Sequence, residues 1–284
     1  WSPQPTLIVG IGGLGTKVVG RLKQMFAEQP LGAELQTIVI DTDRREASEA
    51  SLATAGTSTC RQGDFLHVPL RKSSDYRDDS RRMLEWLGRR WLYNIPRSQL
   101  TEGLRPLGRL ALVDHSDVIW KSTRAALQKL ARPLPGSDQP QSPRIVVIAA
   151  SSGGTGGGMV LDVVIGLRQL LDELNLKETN SSDISVLLAH STPRNAAGSQ
   201  LALANTCALL AEWQHLLHAG AQFPGDPACA LKPRTVDSPP RTRLIHLGEE
   251  LSNDDFDAAC RQLADLVALS VATPADSYFQ ASEQ

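Results

Sequence analysis

The chain has no apolar run approaching the ~20 residues needed to cross a bilayer, and no signal-peptide pattern is visible. It also lacks a charge excess. Its 29 Lys and Arg stand against 31 Asp and Glu, a formal net charge of −2, which argues against non-specific binding to nucleic-acid phosphates. Cysteine is sparse and scattered. Cys60, Cys207, Cys229 and Cys260 form no C-x-x-C pair, so neither a disulfide frame nor a zinc site is expected, and reduced thiols in a cytoplasmic protein are. The histidines do not cluster at ligand spacing. His215 and His218 share one face of a predicted helix without a third ligand, and no metal site is expected from them. No internal repeat is present. These absences leave a globular domain, and 284 residues suffice for one large α/β domain with a substantial core.

What the chain does have is glycine in two special places. Ile145-Val146-Val147-Ile148 is an apolar, β-branched run. It leads into Ala150-Ser151-Ser152-Gly153-Gly154-Thr155-Gly156-Gly157-Gly158-Met159, and an amphipathic pattern follows from Val160 to Leu174. This reads as strand, glycine loop, helix. A backbone bare of side chains can turn successive N–H groups into one concavity and wrap an anion, and the following helix adds its own free N–H groups and positive dipole end. Ser151, Ser152 and Thr155 add hydroxyls. No lysine is present, so this is not a Walker loop. A plain flexible linker is the bland alternative, but it does not belong between a buried strand and a helix. A side chain at Gly156 or Gly157 is expected to remove phosphate binding and leave the fold largely intact.

The second place is the start of the chain. Thr6-Leu7-Ile8-Val9 reads as a buried strand, and Gly10, Gly12 and Gly15 match G-x-G-x-x-G before a helix beginning near Leu14 and Thr16. The strand pattern Thr37-Ile38-Val39-Ile40 then ends in Asp41-Thr42-Asp43, an acidic strand end where doubly wound nucleotide binders hold ribose or metal. A solvated strand end is the alternative. Further strands are predicted at 143–149, 184–190 and 242–247, and helices at 14–27, 80–92, 107–131, 157–174, 199–218 and 254–272. This alternation predicts a doubly wound, mainly parallel α/β sheet with helices on both faces. An irregular, polar excursion with short elements is expected at 47–79, a surface loop at 136–143 and a mobile Pro-rich connection at 220–241.

The G-x-G-G-x-G turn, the Asp-Thr-Asp strand end and the Ser-Ser-Gly-Gly-Thr-Gly-Gly-Gly run, in that order, resemble the tubulin/FtsZ superfamily, most closely the large tubulin-like proteins of bacteria. The last run looks like the tubulin signature loop, normally G-G-G-T-G-[ST]-G, and is the specific part of a resemblance spanning roughly Pro5 to Ala272. The resemblance implies a Rossmann-like domain that binds GTP or GDP with Mg²⁺. It implies a homo-oligomer assembled head to tail into filaments, or a nucleotide-regulated scaffold for a partner protein, with slow or assembly-dependent GTPase activity. By position, Gly10, Gly12, Gly13, Leu14, Gly15 and Thr16, together with Ser151, Ser152, Gly153, Gly154, Thr155, Gly156, Gly157 and Gly158, would hold the α- and β-phosphates. Asp41, Thr42 and Asp43 would lie near the phosphates or the Mg²⁺ water shell. Gly103, Arg105, Gly108 and Arg109 would sense the γ-phosphate, and Pro193 and Arg194 would reach the ribose.

The chain also departs from the family. Asparagines after the strand preceding the central helix, and within that helix, read the guanine edge in the family. Here Gly248-Glu249-Glu250 follows the strand, the helix 254–272 contains no Asn, and Asn253 is the nearest candidate. The family's catalytic acids follow the central helix and act on the neighbouring subunit's nucleotide. No match to them precedes Gln284, and the second, activation domain has no counterpart. With Trp at position 1, the chain reads as a piece of a longer protein.

Two matters stay open. Gly10 to Gly15 with Asp41 and Asp43 also resembles the adenylating domain of ubiquitin-activating enzymes, and, less closely, an NAD-dependent enzyme, although neither has use for a second glycine loop. The segment Arg81 to Tyr93 interleaves arginine pairs with Trp86 and Trp91. It reads as an amphipathic helix packing Trp86 and Leu87 inward, as a protein contact, or as a stacking surface for single-stranded nucleic acid.

Overall fold

The structure, a computed structural model, describes residues 4–28, 34–45, 65–131, 142–176, 184–192, 196–236, 239–249, 252–273 and 275. In chain order the elements are β1 (Thr6–Ile11), α1 (Gly12–Glu28), β2 (Leu35–Asp41) and β3 (Phe65–His67). Three short helices follow, α2 (Ser73–Asp78), α3 (Ser80–Met83) and α4 (Arg89–Leu92), and then the long α5 (Arg105–Leu130). β4 (Arg144–Ala150), α6 (Gly154–Glu173), β5 (Ile184–Thr192) and α7 (Ala196–Leu216) come next. A small hairpin of β6 (Gln222–Phe223) and β7 (Arg234–Thr235) precedes β8 (Arg241–Glu249) and α8 (Asn253–Ala272).

Six strands form one parallel sheet in the order β3-β2-β1-β4-β5-β8. The inner strands β1, β2, β4 and β5 are largely apolar because both faces are covered, so successive residues serve opposite cores, whereas the edge strand β8 has no buried residue. Leu7, Val9 and Ile11 of β1, with Ile145 and Val147 of β4, join the core under α5, α6 and α7. Ile8, Val146 and Ile148 join the core under α1 and α8. From β1 the chain moves outward to β2 and β3, and later returns on the other side to β4. The strand order therefore reverses between β1 and β4, and a crevice at the C-terminal ends of those strands is where such sheets bind ligands.

The predicted doubly wound sheet is present. The excursion at 47–79 carries the short elements β3 and α2; its residues 47–64 are outside those described, as are 136–141 of the expected surface loop. Three details differ from expectation. The helix expected at 80–92 is broken in two, because Gly88 is extended (φ −62°, ψ 142°) and interrupts the helical path ahead of α4. The Pro-rich stretch is packed rather than loose over the residues described. Cys229 and Leu231 are buried, Trp120 Nε1 donates to the Cys229 carbonyl at 2.7 Å, and the β6–β7 hairpin closes the segment. Finally, α6 begins at Gly154, three residues earlier than its pattern suggests.

Contact between α5 and α6 explains much of the glycine content of the signature run. A Cβ on Gly108 would lie 2.1 Å from the Gly154 carbonyl oxygen, and one on Gly158 2.3 Å from that of Arg105. The two helices touch backbone to backbone, and no side chain fits between them. Gly108→Ala should therefore cost about 1–3 kcal/mol of stability by overpacking. Gly153→Ala is the control: its Cβ would meet only the Ala150 side chain, at 3.8 Å, and its φ is negative. Urea melts of the two variants should separate clearly, with Gly108→Ala the less stable.

Candidate functional site

The glycine turns assemble at the crevice between β1 and β4. Gly10 and Gly15 face each other so closely that a Cβ on Gly10 would lie 2.5 Å from the Gly15 carbonyl oxygen. This lets α1 start at once from β1, with Gly12 in a left-handed conformation (φ +72°) that disfavours a side chain. A Cβ on Gly12 would lie 3.2 Å from the backbone nitrogen of Gly156, so the first turn of α1 abuts that of α6. On the other side, a Cβ on Gly154 would lie 2.7 Å from the Leu104 nitrogen, so the lead-in to α5 joins the cluster. Three helix N-termini thus meet. Neither the N-cap of α5, Leu104, nor that of α6, Gly153, supplies a side-chain cap. First-turn N–H groups without a side-chain cap, beside glycine backbone and three positive dipole ends, are the chemistry that suits an anion.

Hydroxyls tie the cluster together. Thr155 Oγ1 lies 3.0 Å from Thr42 Oγ1 and 3.1 Å from Thr101 Oγ1, joining α6, the end of β2 and the loop before α5. Thr16 Oγ1 is 3.2 Å from Asp41 Oδ2, and the Asp43 amide donates to Asp41 Oδ1 at 3.2 Å. Asp41 is buried behind α1, and burial pushes its carboxyl up to about 6. Asp43 instead forms a two-pronged ion pair with Arg45, which holds its carboxyl below the ordinary range.

Several expected site residues have a different place. The Ser151 hydroxyl is wholly buried against the Ala189 carbonyl and Thr206, so it braces β4 against β5 and α7 rather than facing the crevice. Gly156, Gly157 and Gly158 are helical, not loop. A Cβ on Gly157 would lie 2.7 Å from the Ser151 carbonyl oxygen, and one on Gly156 3.0 Å from that of Ala150. Side chains there would distort the turn itself, which corrects the expectation of an intact fold. Arg105 donates from Nε to the Gly157 carbonyl at 2.8 Å and from Nη2 to Glu212 at 2.6 Å. Arg109 pairs with Asp226 at 2.6 Å and lies 3.5 Å from Asp162. Both guanidinium groups are held by internal partners, so the α5 lead-in offers backbone, with Gly103 at φ +79°, in place of free arginines. Ser152 and Gly13 are half-buried beside the crevice, and Leu14 packs in the core under α1. Asn253 is exposed in the first turn of α8, whose cap is Ser252 with Asp255. Pro193 and Arg194 lie outside the described residues.

Two residues of the site are missing from the sequence-based set, Thr101 and Asn205. Asn205, buried on α7, donates both amide hydrogens, to the Gly103 carbonyl at 2.7 Å and the Ser152 carbonyl at 2.8 Å. It clamps the loop before α5 to the loop after β4. The signal was a lone Asn-Thr pair in the uncharged run Ala196 to Ala211, where a buried amide must find internal partners.

Asp41 also sets a pH dependence. A folded-state value near 6, above the usual 3.8, means its contribution is complete at acid pH and is lost as pH rises through about 4 to 6. The loss is on the order of 3 kcal/mol. Asp162, also pushed up to about 6 by burial, changes in the same window. Asp41→Asn keeps a partner for Thr16, so chemical denaturation across that range should show a shallower loss of stability than wild type, with the Asp162 share remaining. An unchanged slope would mean that Asp41 is not the group responsible.

Comparison with known proteins bears on what this crevice is. No curated protein matches by sequence. By fold, the chain is similar to a CetZ from Methanosaeta thermophila (TM-score 0.53, 17% identity, covering 94% of this chain and 54% of that one). It is also similar to a CetZ2 from Haloferax volcanii solved as a GTPγS-bound protofilament (TM-score 0.50, 14% identity, covering 95% and 58%). The chain thus spans little more than half the length of these relatives. The family described as "Tubulin like" matches residues 7–284, nearly the whole chain, and the protein belongs to that family.

Proposed function

We propose that the chain binds a guanine nucleotide, GTP or GDP with Mg²⁺, in the crevice between β1 and β4, and that copies associate head to tail around it. The observation that carries this reading is the meeting of the first turns of α1, α5 and α6 on bare glycine backbone. The residues present fit a polyphosphate. Gly12, Gly13 and Gly15, with Ser152 to Thr155, would take the α- and β-phosphates on backbone N–H groups. The Gly103 to Gly108 stretch would meet the γ-phosphate with its backbone. Mg²⁺ would ride mainly on phosphate oxygens, with Asp41, Thr42 and Asp43 at the neighbouring strand end. Family membership favours this reading over an adenylating or NAD-dependent enzyme, as does the second glycine turn, which those enzymes do not need. The GTPγS-bound protofilament of the Haloferax relative supports both the ligand and the assembly.

Hydrolysis would need an acid from a second copy. The in-chain candidates are each engaged: Asp41 is buried, Asp43 holds Arg45, and Glu102 accepts from Ser98. Calorimetry with GTP, GDP, ATP and NAD should show the guanine nucleotides bound most tightly; binding of NAD alone would overturn the reading. Asn205→Leu removes the clamp and leaves two carbonyls without their donor. Its nucleotide Kd should rise about tenfold or more, as expected for the loss of about 1–3 kcal/mol. Phosphate release per chain should climb with protein concentration, and rapid turnover that is constant at high dilution would show a self-contained active site instead.

A further inference from the structure

The Arg81 to Tyr93 segment is not part of the glycine cluster, yet it is not idle surface. It forms one wall of a cleft of about 660 Å³, whose other walls come from α5, α6, α7 and the β6–β7 hairpin. That size falls in the range of small-molecule sites, which are mostly apolar with a few placed polar groups. No residue of the β1 turn, the β2 end or the Ser151–Gly157 stretch lines it. Trp86 and Trp91 stand on one side, with Leu161, Ala208 and Phe223 contributing apolar surface. Flat aromatic walls of this kind favour an aromatic ring.

Charge selects further. The lining carries three arginines and two carboxylates. Arg105 is held by Glu212, and Arg109 by Asp162 and Asp226. Arg90 stacks 4.1 Å from the Trp91 ring centroid and has no carboxylate partner among the described residues. Arg90 therefore stands beside the aromatic wall as the one lining arginine without an ion pair among the described residues.

The back wall is shared with the glycine cluster. Asn205 and Arg105 both line the cleft, and their side chains donate to the carbonyls of Gly103, Ser152 and Gly157. We propose that this cleft is an effector site for a small aromatic anion, coupled through Asn205 and Arg105 to the glycine turns; the coupling half rests on the nucleotide reading above. A ligand that moves either side chain changes the spacing of the loops, and linkage makes the effect reciprocal: nucleotide alters effector affinity by the same factor.

The probe is 1-anilinonaphthalene-8-sulfonate, an aromatic sulfonate, titrated calorimetrically into the whole chain. Wild type should bind one dye per chain. Ala208→Trp fills the cleft from α7 and should weaken binding more than tenfold. Arg90→Ala should weaken it several-fold, and neither variant should alter the urea midpoint appreciably. Saturating dye should shift GDP affinity by about fivefold or more in wild type and leave it unshifted in Ala208→Trp. Undiminished dye binding in Ala208→Trp, or several dyes per chain without saturation, overturns the site. A change of oligomeric state in Ala208→Trp without loss of dye overturns it in favour of a contact between copies. One-site dye binding with unchanged GDP affinity overturns the coupling alone. If wild type binds no GDP, the nucleotide reading fails while the dye titration still decides the cleft.

Discussion

Close approach of bare backbone at the starts of α1, α5 and α6 is the constraint on which the rest of this structure depends. Gly154 against Leu104 and Gly108 against Gly154 leave no room for a Cβ, and Gly12 against Gly156 leaves little at a positive φ. The approach has two consequences at once. It lets α5 and α6 pack over the sheet at contact distance, and it exposes N–H groups to a common crevice. On the proposed reading, stability and ligand recognition are coupled in the same few residues, and a substitution at most of these glycines reads out both.

Around that cluster the protein uses side chains as braces rather than as ligands. Ser151, Arg105 and Asn205 spend their polar atoms on neighbouring backbone carbonyls. A carbonyl bonded by a side chain is fixed in orientation, and the peptide that carries it is fixed with it. For the nucleotide proposed above, preorganisation of this kind would lower the cost of ordering a phosphate loop. Asp41 extends the bracing to the far side. Its buried carboxyl ties β2 to α1 through Thr16, at the cost of a pH-dependent loss of stability.

The outer shell repeats the pattern with ion pairs. Arg71 and Tyr76 both bond to Asp114, fastening the short helices to α5. Lys17 of α1 pairs with Asp257 of α8 at 2.8 Å, holding the last helix over the first. These links cross between elements far apart in the chain, and they surround the crevice on both faces of the sheet.

The inner strands β1, β2, β4 and β5 were legible in the sequence because local apolar, β-branched runs suffice to specify a buried parallel strand; the edge strand β8, none of whose residues is buried, was legible from a shorter apolar core, Leu244 to Leu247. Glycine spacing alone marked two helix starts as anion sites. It could not say which glycines serve the ligand and which serve packing, since that depends on what each absent Cβ would strike: Gly154 opposite Gly108 lies 46 residues away along the chain. Side-chain roles were hidden for the same reason. Arg105 and Arg109 read as free cations until Glu212 and Asp226 were brought against them from more than a hundred residues away. Asn205 read as a helix residue until it met two carbonyls from separate loops. The sequence by itself determined the order of strands and helices and the places where backbone is bare, because those rest on neighbours along the chain. Only the tertiary structure decided what that backbone faces and which polar groups remain available, because hydrogen bonds and close packing are settled by partners the chain brings together on folding.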